Sequence, residues 1–198
     1  MLRTSSPSVR PRLLSVLAWL LSVFVAAALP VHADTLDGVL EVRSAYVNVD
    51  NEVFLLHARI EYPVNPEIRN ALRDGLTLTF DLDTRVDRER RLLWDASVVS
   101  LTLRRELAYH AISDRYVVRD VRSGDQQSFA TLEDALGFLG TVDGWPILVE
   151  PQLDEGRYLV SVRAAVRRGR LPSSLRALMF WADDWYRTSD WYSWWLPV

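Results

Sequence analysis

The chain contains no cysteine and no lysine, and only 8 glycines and 2 methionines in 198 residues. Without cysteine there is no disulfide, no thiol nucleophile, no thiolate metal site and no lipid-modified N-terminal cysteine. Without lysine there is no Schiff-base chemistry and no phosphate-loop lysine. The few glycines are widely spread, so no glycine-rich loop is placed to cradle a phosphate. All 23 basic residues are arginine, a usage that genome composition accounts for.

The N-terminus carries the clearest address. Arg3, Arg10 and Arg12 form a positive region, and Leu13 to Leu29 is an apolar run without a charge. Val31-His32-Ala33 then offers the residues a signal peptidase reads, with Ala33 directly before the cut. An apolar run of that length also approaches the lower limit of a membrane span. Pro30 and the Val-x-Ala site favour a cleaved secretory signal over residues 1–33, and hence a periplasmic product that meets the membrane only before cleavage. The remainder, residues 34–198, has the length of one domain and can bury about 70% of its unfolded surface. With the three signal arginines removed, it holds 20 arginines against 26 acidic residues. That is a formal charge of −6, with the two signs interleaved. Nucleic acid is therefore excluded as the expected partner, since its recognition needs a basic excess on one face.

Alternation of period two dominates the mature chain. Residues 36–49 and 53–62 alternate around Asp50-Asn51, the pattern of an antiparallel hairpin. Phe54, Leu56, Ala58, Ile60 and Tyr62 fall on one face, with His57, Arg59 and Glu61 on the other. Asn65-Pro66-Glu67 reads as a helix N-cap, a first-turn proline and a first-turn acid, with Gly75 as the stop. Leu76 to Leu82 reads as a strand, and Asp83 to Glu89 as a charged turn. Leu92 to Trp94 and Val98 to Leu107 read as two strands or one bent one. Tyr109 to Val121 holds a further strand, with Tyr116, Val118 and Ile112 inward, followed by a turn at Ser123-Gly124-Asp125. Thr131 caps a helix with an apolar stripe at Leu132, Ala135, Leu136 and Leu139, closed by Gly140. Trp145 to Glu150 is a strand, Asp154-Glu155-Gly156 a turn, and Tyr158 to Val166 a cleanly alternating strand. Leu171-Pro172 breaks the pattern before an apolar stretch to Trp181. About seven to nine short strands with two brief helices predict a mainly β fold. The expected architecture is an antiparallel sandwich, immunoglobulin-like or a related Greek key.

Few residues carry chemistry. His57 lies on the polar face of its strand without a ligand partner at suitable spacing, so it reads as a surface or cross-strand histidine. His110 has Asp114 four residues on, an arrangement that can orient an imidazole, but no nucleophile context accompanies it. Asp81-x-Asp83-x-Arg85-x-Asp87 fails as a calcium loop: Arg85 takes a ligand position, Val86 the glycine position and Leu92 the twelfth. Asp183, Asp184 and Asp190 read as solvated loop residues. These readings assign no catalytic residue, no metal and no cofactor.

The C-terminus stands apart. Trp181, Trp185, Trp191, Trp194 and Trp195 cluster with Phe180, Tyr186 and Tyr192. Each large aromatic buries about 150–250 Å², roughly 4–6 kcal/mol gross. A terminal strand packed across the sandwich would cover them. A platform for a sugar or a protein partner, with Trp185, Trp191, Trp194 and Trp195 as its surface, is the functional reading. A membrane-interface belt is disfavoured because Asp183, Asp184 and Asp190 would be repelled by anionic lipid.

The chain also resembles a known family. The matching features are Arg73-Asp-Gly-Leu-Thr-Leu-Thr-Phe80, Leu93-Trp94-Asp95, Leu107-Ala-Tyr109, and Ser128-Phe-Ala-Thr-Leu-Glu-Asp-Ala-Leu136. The strand at Tyr158, Leu171-Pro172, and Asp184-Trp185 with Trp191 complete the set. Together they resemble the domain of unknown function 4390 family, also labelled proline-rich signal-peptide protein, of small exported proteins in Gram-negative bacteria. The resemblance implies no established activity, so no catalytic residue is carried over. It associates such proteins with membrane sensor–kinase pairs.

The expectation is an exported, non-catalytic module that binds a protein partner in the cell envelope, in an oligomeric state the sequence leaves open. The alternatives are a hydrolase-type enzyme using His110 and Asp114, and a saccharide-binding module using the terminal tryptophans. Cleavage after Ala33 predicts a periplasmic species whose intact mass begins at Asp34. A full-length, membrane-bound product would contradict it.

Overall fold

The structure is a computed structural model that describes residues 38–89, 96–149, 153–169 and 186–196. The signal segment 1–33 with its cleavage site, the strand expected at Leu92 to Trp94, and the stretch from Leu171 to Trp185 lie outside the described residues. Ten strands and two helices follow in chain order among them. Strands β1 (Glu41–Asp50) and β2 (Val53–Glu61) precede helix α1 (Pro66–Arg73). Strands β3 (Leu78–Arg88), β4 (Ala96–His110), β5 (Arg115–Asp120) and β6 (Gln126–Phe129) come next, then helix α2 (Leu132–Leu139). Strands β7 (Thr141–Val149), β8 (Tyr158–Arg168), β9 (Tyr186–Thr188) and β10 (Tyr192–Trp195) complete the order.

These strands form two antiparallel sheets. The smaller has the order β1-β2-β7 and the larger β10-β8-β3-β4-β5-β6, with β9 also pairing β8. The mainly β class with two short helices is thus as the sequence predicts. Apolar side chains of both sheets join one core: Phe54, Leu56 and Val142 from the smaller, Leu78, Phe80, Leu107, Val118 and Val160 from the larger. Ile68 and Leu72 of α1 and Leu132, Ala135, Leu136 and Leu139 of α2 add to it.

Local chemistry explains the element boundaries. The β1–β2 hairpin closes through Asn51 and Glu52, both with positive φ (49° and 64°). Two such residues make a turn whose twist matches the flanking strands. Asn65 caps α1, its side chain accepting from the Ile68 amide at 2.8 Å, and Gly75 follows the helix at φ 90°. Thr131 caps α2 through the Asp134 amide at 3.1 Å.

Two expectations are corrected, and one unforeseen strand is added. The charged turn at Asp83 to Glu89 is instead the second half of β3, which runs unbroken to Arg88. Leu82, Thr84 and Val86 keep the inner face buried, while on the outer face Asp83 meets Arg163 and Arg85 lies over the Trp191 ring. Ile112 is not inward; it is fully exposed in the turn between β4 and β5. The strand β6, paired with β5, was hidden by its polar Gln126-Gln127-Ser128 sequence.

One close approach ties a helix to the smaller sheet. The Ile60 amide donates to the Gly140 carbonyl at 2.8 Å. A Cβ on Gly140 would overlap the Ile60 carbonyl oxygen, whereas Gly137, inside α2, faces open space. We expect Gly140→Ala to destabilise by about 1–3 kcal/mol through overpacking. Gly137→Ala should stabilise by about 0.5–1 kcal/mol through helix propensity. Thermal melts check both, at roughly 2–4 °C per kcal/mol for a chain of this size.

Candidate functional site

The outer face of the larger sheet is built from the odd residues of β3 and β8 and the even residues of β4. Asp81 sits at its centre, 6% exposed. Arg104 meets it through Nε at 2.7 Å and Nη2 at 3.3 Å, and Arg167 Nη2 lies 2.8 Å away. Hydrogen bonding to Asp81 raises the Arg104 pKa further, so that guanidinium is fixed as a cation. Beside it, Asp83 accepts from Thr102 Oγ1 at 2.9 Å and Arg163 Nη2 at 3.1 Å. Arg119 Nη2 bonds Glu106 at 2.8 Å. Asp81 and Asp83, which resembled calcium-loop ligands in spacing, are therefore arginine partners across strands. Among the described residues no group of three His, Asp or Glu side chains converges to hold a metal.

The aromatic terminus completes this face. The backbone of β10 pairs with β8 from Tyr192↔Val162 to Trp195↔Leu159, and β9 pairs with it from Ala165↔Thr188 to Arg167↔Tyr186. Two short strands thus share one edge of β8. Ser189 fills the interval: its amide donates to the Ala164 carbonyl at 2.9 Å, and its hydroxyl oxygen accepts from the Ala164 amide at 3.0 Å. Without it, a buried N–H and C=O of β8 would lack partners, a costly state for backbone groups.

Pairing register decides where each tryptophan lies. Trp194 faces Val160 on the inner side and is partly buried against the core, with Tyr192 tilted against it at 5.8 Å. Trp191 and Trp195 remain 36% and 46% exposed. The Trp191 ring has the Arg85 guanidinium 4.7 Å and the Arg163 guanidinium 4.5 Å from its centroid. Arg157 lies 4.3 Å from the centroid of Trp195. Cation–aromatic contacts of this kind hold the rings in place while leaving area open to solvent. Tyr186, opposite Arg167 further along β8, is 60% exposed. A groove of about 530 Å³ runs between Gly38–Val42 and Trp191 with Tyr192. Trp185 lies outside the described residues. The single expectation of a packed terminal strand or an open platform thus divides residue by residue. The arginines that position the rings carried no local sequence signal, because they come from β3, β8 and the residue before β8.

The histidines are placed elsewhere. His57 stacks on Tyr46 at 4.8 Å with the rings nearly parallel, and its Nε2 lies 2.8 Å from Asn48 Oδ1. Its Nδ1 is 3.6 Å from Asp143, whose carboxyl is lowered chiefly by the Arg59 hydrogen bond. His110 is exposed at the end of β4. Asp114 accepts from the Tyr109 hydroxyl at 2.5 Å, a bond that raises the phenol pKa. Among the described residues, no His110–Asp114 ion pair forms.

No curated protein and no solved structure matches the chain. The family model described as a domain of unknown function (DUF4390) matches residues 38–195, from before β1 to the last residue of β10. The sheet, the capped helices and the terminal tryptophan strand all lie within that match, and the chain belongs to this DUF4390 family.

Proposed function

We propose that the protein is an exported, periplasmic and non-catalytic module that binds a protein partner in the cell envelope through its C-terminal corner. One observation carries this reading: Trp191 and Trp195 are exposed yet held by Arg85, Arg163 and Arg157. Tryptophan, tyrosine and arginine are the residue types that dominate binding energy at protein interfaces. Rigidly held anchors lose little side-chain entropy on association. Guanidiniums already lie against both indoles, which favours a protein surface over stacked sugar rings. A link to an envelope sensor system follows from the family association and belongs to the same proposal.

Crosslinking in intact cells, followed by affinity capture and mass spectrometry, tests it. Wild-type protein should capture an envelope protein that the W191A/W195A variant captures at least tenfold less, at matched protein level and unchanged melting cooperativity. Equal capture by both, or none by the wild type, would overturn the reading.

A further inference from the structure

On the inner face of β4 the residues run Leu101, Leu103, Arg105, Leu107. Three are apolar and pack on the core, while the fourth is an arginine pointing into the layer between the two sheets. Its side chain is only 18% exposed. Among the described residues its one hydrogen bond runs from Nη1 to the Thr141 carbonyl, at 3.4 Å. Asp120 lies 3.9 Å from Nε, and the other Asp120 oxygen already accepts from the Arg122 and Ser123 amides. The Phe138 ring centroid is 5.1 Å from the guanidinium. Burial lowers the Arg105 pKa, with Asp120 and Tyr62 acting against that. A guanidinium carries five N–H donors, and a buried charge is costly unless those donors are met. At Arg105 one of them is met by a protein acceptor among the described residues, the Thr141 carbonyl.

Two cavities meet at this side chain. A cleft of about 460 Å³ opens between β4 and β7, walled by Leu103, Val142, Trp145 and Pro146, with Arg122 at its rim. A smaller space of about 200 Å³ lies on the Phe138 side. Arg104, Asp120 and Asp143 also line the cleft, but Arg104 is engaged by Asp81 and Asp143 by Arg59. An apolar wall beside a few convergent polar groups is the usual form of a small-molecule site. An inward charge that breaks the alternation of a strand marks a position kept for a purpose other than packing. The proximity of Asp120 disfavours a dianion, and Pro146 removes a donor from the exposed edge of β7, disfavouring an added strand.

We infer that this cleft binds a small amphipathic monocarboxylate, its carboxylate on the Arg105 guanidinium and its apolar body against Trp145, Pro146 and Val142. The site is distinct from the Trp191 corner and does not depend on the partner-binding proposal. The probe is 4-phenylbutanoate, titrated into the isotopically labelled protein and followed at the Trp145 indole N–H. Its neutral counterpart, 4-phenylbutanol, presents the same body without the charge. Saturable shifts at Trp145 are expected with the acid, with at least tenfold weaker binding of the alcohol. Arg105→Met, which keeps the length of the side chain, should weaken the acid at least tenfold and leave the alcohol unchanged. Absence of saturation by 10 mM acid, equal binding of acid and alcohol, or undiminished binding of the acid by Arg105→Met would each overturn the inference. The acid–alcohol comparison is decisive on the wild-type protein alone, should Arg105→Met fail to fold.

Discussion

Strand β8 is paired along both edges, and the rest of the molecule depends on that. On one side it meets β3 over its whole length, from Tyr158↔Arg88 to Arg168↔Leu78. On the other it is closed by residues from the far end of the chain, with Ser189 bridging the interval between β9 and β10. Its inner residues Tyr158, Val160, Val162, Ala164 and Val166 are all at most 1% exposed. That degree of burial is compatible with hydrogen-bonded backbone and with little else, because an unpaired amide in such surroundings costs about 1–3 kcal/mol. The C-terminal segment is therefore part of the sheet before it is anything else. Its exposed tryptophans are presented from a fixed strand rather than from a tail.

The same strands separate two kinds of chemistry by the alternation of the pleat. Inner positions supply the core; outer positions of β3, β4 and β8 carry interleaved aspartates and arginines. Exposed ion pairs of this sort contribute little to stability, about 0–1 kcal/mol each. Asp81 differs because it is buried under two arginines, where loss of the carboxylate would leave like charges facing one another. A surface so paired is polar without a large net field. It leaves the aromatic corner as the distinctive feature of the outer face, and Arg105 as the single charge among the apolar inward positions of β4.

Much of this was legible in the sequence. The β1–β2 hairpin, both helix caps and the inward face of β8 follow from period-two alternation, Asn65-Pro66 and Thr131, each a local signal. The second half of β3 was not legible as strand, because Asp83 to Glu89 looks like a solvated turn until β4 and β8 bring Thr102 and Arg163 to Asp83. Ile112 misled for the opposite reason: apolar character in a tight turn is not burial. The terminal tryptophans were evident as a cluster, but only the register with β8 decides that Trp194 turns inward and Trp195 outward. The cleft at Arg105 was readable in principle from Leu101-x-Leu103-x-Arg105-x-Leu107, where one charge interrupts an apolar face.

Closure of β8 by the C-terminal segment is tested most directly by native-state hydrogen exchange at the Ala164 amide, which donates to the Ser189 hydroxyl. An integral edge predicts that this amide exchanges only by global unfolding, as slowly as the amides β8 shares with β3. Exchange at the rate of an exposed loop, with the β3-facing amides still protected, would contradict it and make the tryptophan segment a detachable tail.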